Sequence, residues 1–139
     1  FLNRAQGLPG LKAKYGLDIK PDNFVAISDG GGPATVKSLS GGTVTAANIF
    51  STSPAIPQNK FVVLEDPKNN FLPGNVVPLL SSQKMSDEIK KVLNAVSARL
   101  TTKGLTELNG SVSGNDGIDP DEDAREWIRE NPFDKPIRN

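Results

Sequence analysis

Arg4 and the run Phe50-Ser51-Thr52-Ser53 are the residues whose type and position could do chemistry in this sequence. Arg4 stands just ahead of Gly7 to Gly16, a short helical pattern with Pro9 in its first turn and Gly16 past its end. A cation there gains nothing from the positive end of the helix dipole. It is therefore either solvated or aimed at an anion that the helix start also attracts; residue type alone favours the solvated arginine. Phe50 closes a strand-like run from Thr43, and Ser51-Thr52-Ser53-Pro54 follow at the end where open α/β sheets bind ligands. An isolated Phe is more often plain core, and the hydroxyls beside it keep a binding role open.

Other constellations carry less. Asp29-Gly30-Gly31-Gly32-Pro33 lies between a strand-like run, Asn23 to Ser28, and a helical stretch, Ala34 to Leu39. Glycines so placed can cradle a phosphate, but neither the dinucleotide spacing nor a following Gly-Lys-Ser/Thr is present. A tight turn that brings backbone close to a neighbouring element or ligand explains them more simply. The acid run Asp119-Pro120-Asp121-Glu122-Asp123 lacks the alternating acids, central Gly and late Glu of a calcium loop, and reads as a helix start. Glu65 and Asp66 are adjacent, so in a strand they point to opposite faces and make a poor acid and base pair.

Composition narrows the classes further. With no histidine and no cysteine, the chain lacks the commonest general base, the commonest metal ligand, thiolate metal sites and disulfides. No catalytic residue, metal or cofactor is expected, and an enzyme ranks well below a binding protein. Sixteen basic residues balance sixteen acidic ones, so no global field draws the chain to nucleic acid or anionic lipid. No apolar run approaches the roughly 18 residues of a membrane span.

The stretch that organises the chain is Phe61 to Leu80. Two short apolar runs, Phe61-Val62-Val63-Leu64 and Val76-Val77-Pro78-Leu79-Leu80, flank a loop with Asp66-Pro67, Asn69-Asn70 and Pro73-Gly74, which predicts buried strands around a turn. Before it lie Gly-, Pro-, Ser- and Thr-rich segments, and after it charged helical patterns, so it marks a joint between two units. Ser86 to Leu100 is the clearest helix: Ser86 caps it, Asp87 and Glu88 suit its first turn, and Ile89, Val92, Leu93, Val96 and Leu100 form a face expected in the core. Thr102 is expected to cap a shorter helix carrying Leu105, Leu108 and Val112. Ser113 to Gly117 is a polar break. Asp119 and Pro120 open a last helix with Ala124, Trp127 and Ile128 as its buried stripe, Asn131-Pro132 stops it, and Lys135 to Asn139 is expected as a loose tail.

These residues together resemble a known family. Phe1-Leu2-Asn3-Arg4-Ala5-Gln6-Gly7-Leu8-Pro9-Gly10-Leu11 with Tyr15-Gly16 is similar to the second lobe of the substrate-binding proteins of osmoprotectant ABC transporters, the glycine betaine, carnitine, choline and proline group. Val63-Leu64-Glu65-Asp66-Pro67-Lys68 with Leu72-Pro73 looks like the segment by which those proteins return to the first lobe. Leu100-Thr101-Thr102, Leu105, Glu107-Leu108-Asn109 and Asp119-Pro120 resemble their C-terminal end.

The resemblance implies an α/β, periplasmic-binding-protein-like (type II) fold of two lobes, present here as a partial chain. Residues 1–64 would belong to the second lobe, 65–75 to the crossover between lobes, and 76–139 to the mainly helical C-terminal part of the first. The missing N-terminal half, or a swapped copy, would complete it, and the opening at Phe1 without an initiator Met suggests a fragment or a processed form. The implied protein is a non-enzymatic, extracytoplasmic solute receptor, periplasmic or a cell-surface lipoprotein, that hands a quaternary-ammonium or amino-acid-like solute to a membrane permease. A ligand-sensing domain of the same fold, for a different small solute, is the alternative. Arg4 matches the arginine that binds the ligand's carboxylate, and Phe50 an aromatic of the cage around a quaternary ammonium, with Ser51 and Thr52 lining the cleft. In many relatives an aromatic follows the proline of the return segment, where this chain has Gly74, so one wall of the cage is absent or supplied elsewhere.

Overall fold

Short-range signals account for where most of the helices start. The computed structural model describes residues 1–114 and 117–132. The chain divides into two compact units, Phe1–Phe50 with Ala55–Gly74, and Ser51–Pro54 with Asn75–Asn139.

In the first unit, helix α1 spans Leu8–Tyr15 with a proline in its first turn. Gly16 ends it in the left-handed conformation, φ 72°, and returns its N–H to the Lys12 carbonyl at 3.0 Å. Helix α2, Pro33–Ser40, has no side-chain cap from the residue before it. Asp29 does that work from further away: its carboxylate accepts the Thr35 N–H at 3.0 Å, the Thr35 hydroxyl at 2.6 Å and the Gly31 N–H at 3.2 Å. Those bonds, the Thr35 hydroxyl first, hold the Asp29 pKa down at about 2. A single helical turn, α3, covers Ala55–Gln58.

The second unit contains α4, Asp87–Ser97, α5, Thr102–Ser111, and α6, Pro120–Glu130. Ser86 Oγ caps α4 by accepting the Ile89 N–H at 3.2 Å, and Asp119 caps α6 through the N–H groups of Asp121 and Glu122. Helices α5 and α6 pack together, and the Ser111 hydroxyl donates to Asp123.

Three expectations need correction. First, no strand forms among the described residues. The segments expected as strands, 23–28, 43–50, 61–64 and 76–80, carry no ladder, so the α/β class is not expressed here. A helix satisfies its hydrogen bonds internally, whereas a strand must find a neighbour about 4.8 Å away. Second, the face of α4 is not core: Ile89 is 39% and Val92 49% exposed, and no apolar side chain among the described residues is buried. The same holds for the stripe of α6, where Ala124 and Ile128 are exposed and Trp127 is half-buried. An amphipathic face needs an apolar surface to close on, and its own period cannot provide one. Third, the cap of α5 is Thr101, whose hydroxyl accepts the Gly104 N–H at 3.0 Å, and Thr102 is already helical. The single turn α3 falls in a stretch, 55–58, for which no element was expected. The expected tail, Lys135 to Asn139, lies outside the described residues, as do Asn115 and Asp116 of the polar break.

Candidate functional site

Arg4 sits on a tight turn that leads into α1. Its carbonyl accepts the Gly7 N–H at 2.8 Å, and the Phe1 carbonyl accepts the Leu8 N–H at 3.3 Å. Any Cβ at Gly7 would run into the Phe1 carbonyl, so the turn requires glycine there. The Arg4 side chain is exposed, and its guanidinium has no partner among the described residues. The first turn of α1 holds no acid to neutralise it. An exposed, forked cation on the turn that leads into a helix is a residue type able to receive a carboxylate.

A second element grips this region. The turn from Asp66 to Phe71 lies along α1, with Asp66 accepting from the Tyr15 hydroxyl and, at 2.7 Å, from the Phe71 N–H. The Tyr15 hydroxyl in turn accepts the Lys68 N–H at 2.9 Å. Lys14 Nζ donates to the Asn69 carbonyl at 2.6 Å, and Lys68 Nζ donates to the Lys14 carbonyl and lies 5.3 Å from the Tyr15 ring centroid. Tyr15 donation, followed by the N–H groups of Phe71 and Asn70, depresses the Asp66 pKa. The Tyr15 pKa is raised, first by partial removal from water and then by Asp66. Asp66 is thus engaged as an acceptor by the Tyr15 hydroxyl and the Phe71 N–H.

Phe50 presents its ring to solvent, 74% exposed. The backbone just before it is crowded by the glycine turn: a Cβ at Gly31 would lie 2.9 Å from the Asn48 carbonyl oxygen and 3.0 Å from Ile49 Cα. Gly31 also has φ 86°, so both space and backbone conformation call for glycine. Ser51 is exposed and Thr52 half-buried, and the Thr52 carbonyl accepts from Asn109 Nδ2 at 3.0 Å.

Arg4 and Phe50 therefore fall in one compact unit and Ser51 and Thr52 in the other. No hydrogen bond or ring contact joins Arg4 to Phe50 among the described residues. A shallow, open depression of about 400 Å³ in the first unit is lined by Leu2, Asn3, Leu8, Lys12, Asp18 and Ile19, with two prolines, and by none of the four expected site residues. Lys12 and Asp18 pair across it at 3.2 Å. Among the described residues, no group of three or more His, Cys, Asp or Glu could hold a metal, and no helix is long and apolar enough to cross a membrane.

Comparison with known proteins decides the family. Residues 1–130 match the model of the OpuAC family, the substrate binding domain of ABC-type glycine betaine transport systems. The chain belongs to this family. OpuAC members are solute-binding proteins, not enzymes, with a type II periplasmic-binding fold. The glycine betaine-binding protein YehZ of Escherichia coli strain K12 is similar, 26% identical over 140 residues, which cover 97% of this chain and 45% of that relative. The chain thus spans less than half the length of that curated relative. No solved structure matches it.

Residue-by-residue reading expected a turn between Phe61 and Leu80 but missed that its Asp66 to Phe71 part docks on α1. A signal was there: Asp66 and Asn69-Asn70 are turn formers, and Asn69 adopts φ 49°, a region that Asn enters more readily than most residues. Nothing in the sequence linked that turn to Tyr15, 51 positions away.

Proposed function

We propose that this chain forms part of the extracytoplasmic solute-binding component of an ABC importer for a quaternary-ammonium osmoprotectant such as glycine betaine or choline. The observation that carries the reading is the match of residues 1–130 to a substrate-binding-domain family. In this reading residues 1–64 belong to one lobe, 65–75 cross between lobes, and 76–139 belong to the other. The segments 23–28, 43–50, 61–64 and 76–80 become strands of an α/β fold, with pairing partners from outside these 139 residues, in the same polypeptide or a second copy. Ligand enters the cleft between lobes, and closure creates the surface that the membrane permease recognises.

Within the cleft, Arg4 forks onto the carboxylate and the Phe50 ring faces the quaternary ammonium, which cannot donate hydrogen bonds and is attracted by about 0.5–2 kcal/mol per ring. Ser51 and Thr52 line the same cleft. The unpartnered guanidinium and the uncovered ring support these roles. Gly74 favours a second reading, a different small solute sensed by the same fold, because a Cβ there would meet only open space and the position supplies no wall.

Calorimetric titration of the protein as encoded, flanks included, tests the proposal. Glycine betaine is expected to bind one to one and unchanged, and Arg4→Ala to weaken it by about 2–5 kcal/mol, the range for truncating one partner of a buried charged pair. Choline, which lacks the carboxylate, loses much less. Unchanged betaine affinity in Arg4→Ala would sink the role of Arg4, and binding of none of the osmoprotectants would favour the second reading.

A further inference from the structure

Among the described residues the most buried side chain is a polar one, Asn70, only 2% exposed. Its Nδ2 donates to the Gln6 carbonyl at 3.0 Å, a bond between residues 64 apart in sequence. Its Oδ1 lies so close to Gly10 that a Cβ there would overlap it. Asn70 therefore fills the notch between the Arg4 turn and the first turn of α1. The next residue grips the other end of the same turn: the Phe71 and Phe1 rings stack, 6.2 Å between centroids and 15° from parallel. Gln6 is two residues after Arg4 and Phe1 three before it, so consecutive residues of one segment hold both ends of the turn that carries the guanidinium.

We propose that Asn70 is a positioning residue for Arg4, fixing, with Phe71, the turn from which the guanidinium meets a ligand carboxylate. This rests on the reading of Arg4 as the carboxylate-binding group. The physical reason is preorganisation. Arginine is long and rotamer-rich, and a ligand that must also order the backbone beneath it binds less tightly. The segment can act as a fixed jaw because it is tied down itself, through Asp66 to Tyr15 and Phe71, and through Asn69 to Lys14. An asparagine suits the place: its donor meets Gln6 while its oxygen packs on the one α1 residue without a side chain.

The test is a double-mutant cycle on the protein as encoded, read by calorimetry with glycine betaine and choline. Asn70→Asp keeps the shape but sets an oxygen against the Gln6 carbonyl. It is expected to weaken glycine betaine about tenfold and choline less than about twofold. In an Arg4→Ala background the same change should have no further effect on betaine. Phe71→Leu, which loosens the other end without a polar loss, should weaken betaine about threefold and carries the test if Asn70→Asp does not fold. Hydrogen exchange supplies a ligand-free readout: Asn70→Asp should speed exchange of the Gly7 amide and leave the amides of α2 unchanged.

Equal losses for betaine and choline, or a full additional loss in the Arg4→Ala background, would overturn the inference and leave Asn70 merely structural. If Arg4→Ala weakens betaine while Asn70→Asp and Phe71→Leu do not, the inference alone fails. If Arg4→Ala has no effect, or the wild-type protein binds no glycine betaine, the reading of Arg4 fails and takes the inference with it.

Discussion

Between Phe61 and Leu80 the middle and the two ends of one short stretch meet opposite fates. From Asp66 to Phe71, polar side chains and backbone close on one another and on α1, and Asn70 is almost completely buried. On either side the apolar runs lie bare: Val62 is 85% exposed, Leu64 79% and Leu79 94%. Propensity would rank them the other way, since the apolar runs are the better strand formers. The difference is one of self-sufficiency. A turn rich in Asp and Asn carries its own donors and acceptors and needs only a single helix to dock on. An apolar strand needs a ladder on its edges and an apolar layer on its faces, and neither is present among the described residues.

The sharpest way to break that comparison is to charge a bare run. Leu79→Asp in the protein as encoded is expected to destabilise by about 3 kcal/mol or more, because the proposed lobe buries residues 76–80 and an unpaired carboxylate cannot be buried cheaply. In the 139-residue chain the same change should stay within about 0.5 kcal/mol, since Leu79 is solvated there. Equilibrium urea unfolding of both forms measures it, and an unmoved midpoint in the encoded protein would take 76–80 out of any core.

On the other side of the comparison stands Gly10→Ala. Alanine normally improves a helix interior by up to about 1 kcal/mol, but here the new Cβ would overlap Asn70 Oδ1 and the Ala5 carbonyl. A net loss of about 1–3 kcal/mol is expected, and a gain in the same unfolding experiment would mean that α1 and the Asp66 to Phe71 turn are not locked together. Ser86→Ala probes an element that needs no distant partner. Loss of the Ile89 N–H cap should cost about 1 kcal/mol, and helix content by circular dichroism should fall with it.

The smallest effect is electrostatic, because the groups concerned are solvated. Asp29 and Asp66 both have folded pKa values below the ordinary carboxylate value, near 2 for Asp29. The stability they contribute is fully present above about pH 4 and is lost as pH falls through the folded values. Thr35→Val removes the hydroxyl that lowers Asp29 most. Its Asp29 pKa, followed by carboxyl NMR titration, should rise toward about 4, and no change would dismiss Asp29 as the anchor of α2.

Legibility followed the range of the interactions. The starts of α1, α4 and α6 are readable from Pro9, Ser86 and Asp119-Pro120, and the end of α1 from Gly16, because caps act within a few residues. The triple glycine is readable as a close approach, though not the identity of its neighbour, which proves to be Asn48 and Ile49. Arg4 stands out by its place ahead of a helix start and Phe50 by the hydroxyls that follow it, and their expected ligand roles come from the motif resemblance alone. Their exposure follows from what surrounds them, and Asn70 gives no hint by itself, since a lone asparagine is usually a surface residue.

Sequence by itself determined the absence of histidine and cysteine chemistry, the balanced charge, most of the helix boundaries and the family. These depend on residue identity and on neighbours a few positions away. Tertiary structure alone decided which turn docks on α1, that Asp66 is an acceptor held by Tyr15, that Asn70 is the buried contact beneath the Arg4 turn, and that the apolar runs remain uncovered. Those outcomes join residues more than fifty positions apart, or depend on apolar surfaces that no described residue presents, and no local pattern encodes which distant group will be there to meet them.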